Sequence, residues 1–146
     1  MLNDEYFMKI ALEEARKALD KGEVPIGAVI VCNDTIVAKA HNQTEQLHDF
    51  TAHAEMLAFT SASEYLSNKY LNNCTLYVTL EPCLMCAGAA SWTQIGRIVY
   101  GANDPKRGYS QYQPPVLAKK TQIISSVLEK ECLIIIQDFF KSKRNH

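Results

Sequence analysis

The chain has 146 residues and a formal net charge of −1; it is 47% hydrophobic and 21% charged, with four histidines and five cysteines. That length suits one compact domain over residues 1–146, in the composition range of ordinary globular proteins. There is no run of about 18 apolar residues to span a membrane, no basic and apolar leader in MLNDEYFMKI, and an odd cysteine count that argues against a disulfide framework, so a cytoplasmic location is expected.

Residues 4–20 read as a helix. Met8, Leu12, Ala15 and Leu19 recur on one face, widened by Ala11 and Ala18, with Asn3 as cap and Lys21-Gly22 as stop. IGAVIV (26–31) and IVAKA (36–40) form a β-hairpin pattern around Asn33-Asp34. A second helix is expected over 51–66, with Met56, Phe59, Ser63 and Leu66 as its stripe and Thr51 or Asp49 near its cap. CTLYVTL (74–80) is a buried-strand pattern, residues 83–92 a helix with two cysteines in its first turn, and RIVYGA (97–102) a further strand. A loop with three prolines (103–115), a short strand at 122–125 and a helix over 127–143 complete the chain. Helices alternating with strands predict an α/β architecture around one sheet.

Charge is unevenly spread. Residues 1–95 carry 6 Lys/Arg against 12 Asp/Glu, a net of −6, whereas residues 96–146 carry 9 against 4, a net of +5. The basic C-terminal third fits either a solvated face or a nucleic-acid surface.

Chemistry concentrates at two short stretches, TAHAEM (51–56) and TLEPCLMC (79–86). Cys-x-x-Cys spacing alone leaves a redox dithiol open, since a strand precedes the pair. That reading, however, leaves the histidine and acid chemistry unused. A structural zinc needs four ligands, and Cys32, Cys74 and Cys132 sit apart in apolar runs, as small buried hydrophobes do. Of His41, His48, His53 and His146, only His53 stands two residues before a glutamate at an expected helix start. Cysteines at i and i+3 share a helix face, and a helix N-terminus favours their thiolates. His53, Cys83 and Cys86 therefore make three ligands with an open fourth position, the arrangement of a catalytic zinc. Glu55 is then a proton carrier for the water in that position.

His-Ala-Glu at 53–55 with Pro-Cys-Leu-Met-Cys at 82–86 resembles the zinc-dependent cytidine deaminase superfamily. EVPIGAVIV (23–31), DFTAHAEM (49–56), CTLYVTLEPCLMCAGA (74–89), RIVYGANDPKRG (97–108) and ECLIIIQDFFKSKR (131–144) are similar to bacterial tRNA adenosine deaminases. The resemblance implies a three-layer α/β/α fold with a mixed five-stranded sheet, a homodimer, and one Zn²⁺ on His53, Cys83 and Cys86. It implies conversion of adenosine to inosine at the wobble position of a tRNA anticodon stem-loop. Glu55 would shuttle protons while hydroxide on the metal attacks C6. Asn42 and the Ala54 backbone would contact the flipped base and Ile26 would pack on its face. Asp104 would meet a neighbouring nucleotide, and Lys106, Phe139, Phe140, Lys143 and Arg144 lie where the family grips RNA. Free-base or nucleoside deamination of guanine or cytosine type is the alternative with the same chemistry. A non-catalytic zinc-binding partner subunit is a further one, opposed by the presence of Glu55. The segment YSQYQPPVLAKKTQ (109–122) departs from the family pattern, and Tyr109 and Tyr112 are candidates to stack on bases.

Overall fold

The computed structural model describes residues 2–144, so His146 lies outside the described residues. Among these, four α-helices and five strands alternate: α1 (Asp4–Asp20), β1 (Gly27–Cys32), β2 (Thr35–His41), α2 (Ala54–Leu66), β3 (Cys74–Leu80), α3 (Leu84–Thr93), β4 (Arg97–Ala102), β5 (Gln122–Ile124) and α4 (Glu129–Arg144). The sheet order is β2-β1-β3-β4-β5. β1 pairs antiparallel with β2 and β3, while β3, β4 and β5 run parallel, which gives the expected mixed five-stranded sheet.

Side chains alternate across a strand, and here the alternation sorts them into two cores. Ala28, Ile30, Leu76, Val78, Ile98 and Tyr100 pack with Ala54, Ala58, Phe59 and Ala90 of α2 and α3. Their neighbours Val29, Val31, Tyr77 and Val99 pack instead with Phe7, Met8, Ala11 and Leu12 of α1 and Cys132 of α4. The result is helix, sheet and helix in three layers. The hairpin turn falls at Asn33-Asp34, both with positive φ (52° and 62°), as a two-residue turn that follows strand twist requires. Gly27 is obligatory for close packing, because a Cβ there would collide with the α1 backbone at Ala11 and Ala15.

Several expectations shift by a residue or more. In α1 the buried face includes Phe7 and Glu14, whereas Leu19 is exposed. Helix α2 starts at Ala54, not Thr51, and it buries Ala54, Glu55, Ala58, Phe59 and Ala62; Met56, Ser63 and Leu66 are half-buried. Asp49 caps a turn before the helix, its Oδ1 accepting from Thr51 N–H at 2.8 Å and Oγ1 at 2.7 Å. Cys74 and Cys132 are buried, but Cys32 is only half-buried; it lies directly across from Cys74.

Helix α1 is tied to the sheet by one bidentate ion pair. Arg97 donates to both Asp4 carboxylate oxygens, at 2.9 and 2.7 Å, and Tyr77 O–H donates to Oδ1 at 2.8 Å. The guanidinium holds the Asp4 carboxyl below its ordinary range. A depressed carboxyl contributes stability above its unfolded pKa and loses it as pH falls through the folded value. Arg97→Ala is therefore expected to cost about 1–2 kcal/mol near neutral pH, the pair being partly buried and bidentate. Urea melts of both proteins check this: the difference should shrink only as pH falls below the ordinary carboxylate range, where Asp4 takes up its proton.

Candidate metal centre and active site

The catalytic candidates gather at the end of the sheet where β2 and β3 run into the starts of α2 and α3. His53 is the residue before α2, with extended backbone (ψ 152°), and Cys83 holds the same place before α3 (ψ 175°). A residue at that position carries a side chain free of the helix face, so both point outward from a helix N-terminus. Neither side chain caps its own helix. For α2 the cap comes from elsewhere: Asn42 Oδ1 accepts the Ala54 N–H at 3.2 Å. Cys86 lies one turn into α3 and is fully buried.

Three ligand atoms converge. His53 Nδ1 is 3.6 Å from Cys83 Sγ and 3.5 Å from Cys86 Sγ, and all three lie within 4.8 Å of one another. A tetrahedral zinc with nitrogen at about 2.05 Å and sulfur at about 2.3 Å separates such donors by about 3.6 Å. The residues therefore fit the ion in donor type, number and spacing. Cys83 is held as a thiolate, its pKa lowered to about 4 chiefly by the Cys86 thiol and then by His53. Cys86 keeps the shared proton, its own pKa raised by the neighbouring thiolate and by burial. The Cys83 thiolate in turn raises His53. A bound divalent cation would take the place of that proton.

Glu55 is 3% exposed, and its Oε1 is a buried atom with no partner among the described residues. Burial raises its carboxyl to about 7, with His53 opposing the shift. A carboxylate oxygen buried at this cost without a partner marks a functional position rather than a structural one.

Of the other expected site residues, three form one corner. Ile26 C=O accepts the Asn42 N–H at 3.1 Å, and Asn42 reaches Ala54 as described. Asn42 is buried and Ile26 half-buried. The Ala54 N–H is spent on Asn42, so the backbone contact expected of Ala54 is already engaged within the chain. Asp104 is half-buried, and its Oδ1 accepts the backbone N–H groups of Lys106 and Arg107, both at 3.1 Å. Lys106 and Arg144 are exposed. Phe139 is core at 9% exposure and carries Lys143 Nζ over its ring at 5.6 Å, while Phe140 is 45% exposed. Phe139 and Lys143 share a cleft with Gly22, Val24, Thr44 and Glu45, close in sequence to Ile26 and Asn42.

His41 is not at the centre. Its Nδ1 lies 3.3 Å from Glu14 on the α1 side of the sheet. His48 is exposed in the loop before α2. Tyr109 is half-buried with its ring edge-on to Tyr100 at 6.5 Å, so only Tyr112, 41% exposed, offers an open face.

Two residues escape a reading by sequence. Arg107 brings positive charge close enough to oppose protonation of His53. Glu81 is buried beside the ligand Cys83. Its only sequence signal is an acid at the very end of an apolar strand, next to a proline.

Fold, ligand triad and unpartnered glutamate together define a zinc-dependent deaminase centre. A family model described as the cytidine and deoxycytidylate deaminase zinc-binding region matches residues 1–102, and the chain belongs to that family. It is 44% identical to a tRNA-specific adenosine deaminase of Aquifex aeolicus over 99% of both chains. It is 46% identical to one of Bacillus subtilis, over 99% of this chain and 92% of that protein. A solved structure from work on A-to-I editing by tRNA:A34 deaminases superposes with a TM-score of 0.84 at 42% identity, over 89% of this chain and 98% of the other.

Proposed function

We propose that this protein hydrolyses adenosine to inosine at the wobble position of tRNA anticodon loops. The observation that carries the reading is identity of 44% across the full length of a tRNA-specific adenosine deaminase, in a chain that retains the three ligands and Glu55. His53, Cys83 and Cys86 would hold the zinc, which when bound would supply Lewis acidity and an activated water at neutral pH. Glu55 Oε1, buried and without a partner among the described residues, is the group that would hold the proton given up by such a water and return protons to the ring nitrogen and the leaving amine. Its elevated pKa suits both halves of that exchange. Ile26 packs on the base. Asn42 orients it through Nδ2, since Oδ1 is committed to Ala54.

The positive C-terminal third supports an RNA partner, because phosphate contacts supply much of nucleic-acid affinity. Lys106, Arg144 and the exposed Phe140 are the groups offered to the anticodon arm, with Asp104 beside a neighbouring nucleotide. An anticodon loop is already partly unstacked, which lowers the cost of extruding its base. We take the chain to be one cytoplasmic domain acting as a homodimer; exposed Trp92 (85%) and Tyr65 (65%) on the α2–α3 layer support a covered face. No described helix is long and apolar enough to cross a membrane.

The test is a deamination panel on zinc-loaded protein. It compares an anticodon stem-loop bearing adenosine at the wobble position with free guanine, cytosine, cytidine and adenine. Inosine in the stem-loop is expected. Turnover of a free base with none on RNA would replace the substrate assignment.

A further inference from the structure

We propose that Glu81 is a positioning residue of the active site, clamping the 104–110 segment onto the metal ligand Cys83 so that Lys106 and Arg107 face the phosphates of the substrate strand. This rests on the RNA reading above. Glu81 is 3% exposed, and no lysine or arginine pairs with it among the described residues. Three hydrogen bonds satisfy it instead. Oε1 accepts Asp104 N–H at 3.0 Å, and Oε2 accepts Ser110 N–H at 3.0 Å and Ser110 O–H at 2.7 Å. A buried carboxylate is costly unless fully hydrogen-bonded, so the segment that supplies these donors is held in one conformation. All three donors come from the two ends of that segment.

Near its far end the segment is stitched to the metal ligand Cys83 and its neighbour Pro82. Gly108 forms a β-bridge with Cys83, and Tyr109 N–H donates to Pro82 C=O at 2.9 Å. Any Cβ at position 108 would overlap the Glu81 carboxyl group, so glycine is needed for the approach. Between these anchors, Asp104 Oδ1 gathers the N–H groups of Lys106 and Arg107 into a turn that leaves both side chains in solvent. Two cations on a rigid turn beside the metal suit a polyanionic strand crossing the site.

Charge alone predicts the opposite of a clamp. Deleting an acidic group beside RNA would strengthen binding and steepen its salt dependence. Loss of a clamp frees the cations, weakens binding and flattens the salt dependence.

The experiment uses zinc-loaded full-length Glu81→Ala and Glu81→Gln with the adenosine-containing stem-loop. For Glu81→Ala, one zinc per chain should remain, KM should rise about tenfold, and kcat should change less than about threefold. The slope of log(kcat/KM) against log[salt] should fall by about 1. Glu81→Gln keeps one acceptor oxygen and should rescue part of the KM change. Gly108→Ala unseats the same carboxylate without removing it, and should reproduce the KM change if Glu81→Ala folds poorly. A lowered KM, a steeper salt slope, or a fall in kcat alone would overturn the proposal. If wild-type protein fails to deaminate the stem-loop, the substrate assignment falls, and the clamp is judged by hydrogen exchange. Faster exchange of the Asp104 and Ser110 amides in Glu81→Ala supports it, and unchanged exchange overturns it.

Discussion

Glu55→Ala should lower kcat on the adenosine stem-loop by about a thousandfold or more, with one zinc per chain retained. The ligand atoms of His53, Cys83 and Cys86 are untouched by the change, so metal analysis should match wild type. What disappears is a buried carboxylate oxygen with no partner among the described residues. Stability should hold or rise, since removing a buried and unsatisfied carboxylate relieves a desolvation cost. Glu55→Gln preserves shape and removes proton transfer, and it should be as inactive as the alanine variant. Measured turnover within tenfold of wild type in either variant would remove Glu55 from the proton pathway.

Cys86→Ala should abolish activity by another route. Cys86 is fully buried in the first turn of α3, and two donors remain once it is gone. Zinc content should fall well below one per chain. Because the ion binds the folded state, a thousandfold excess over its dissociation constant adds about 4 kcal/mol. Stripping the wild type with a chelator should then lower Tm by about 10 °C. The Tm of Cys86→Ala should already be low and insensitive to chelator. A wild-type Tm that ignores chelation would mean that the ion adds nothing to the fold.

The convergence of His53, Cys83 and Cys86 was legible because metal chemistry fixes ligand spacing. Cysteines at i and i+3 and a His-x-Glu pair are short-range patterns, and nothing in the fold had to be known to see them. Helix α2 was harder. Of the expected stripe only Phe59 is fully buried; the rest of the buried face is Glu55 with Ala54, Ala58 and Ala62, and alanine packs closely against a sheet while contributing little to a hydrophobic stripe. The larger Met56 and Leu66 drew the reading to a neighbouring face. The helix start was misplaced for a different reason: Asn42, twelve residues upstream, supplies the cap. Glu81 was invisible because a buried glutamate and a surface one are the same letter. Only its three donors, 23 and 29 residues away in sequence, distinguish it. Phe139 and Phe140 divided between core and solvent as a helix requires of adjacent residues.

The hairpin turn at Asn33-Asp34 has a use in protein engineering. Gly27 pairs with His41 at the catalytic end of the strands, and Cys32 pairs with Thr35 at the other. Six residues of strand put the turn about 20 Å from the metal ligands. Both turn residues are exposed and carry no side-chain hydrogen bond among the described residues. A reporter domain or surface tether spliced into this turn would hang from the end of the strands opposite His53, Cys83 and Cys86, leaving the catalytic end open even to a bulky substrate.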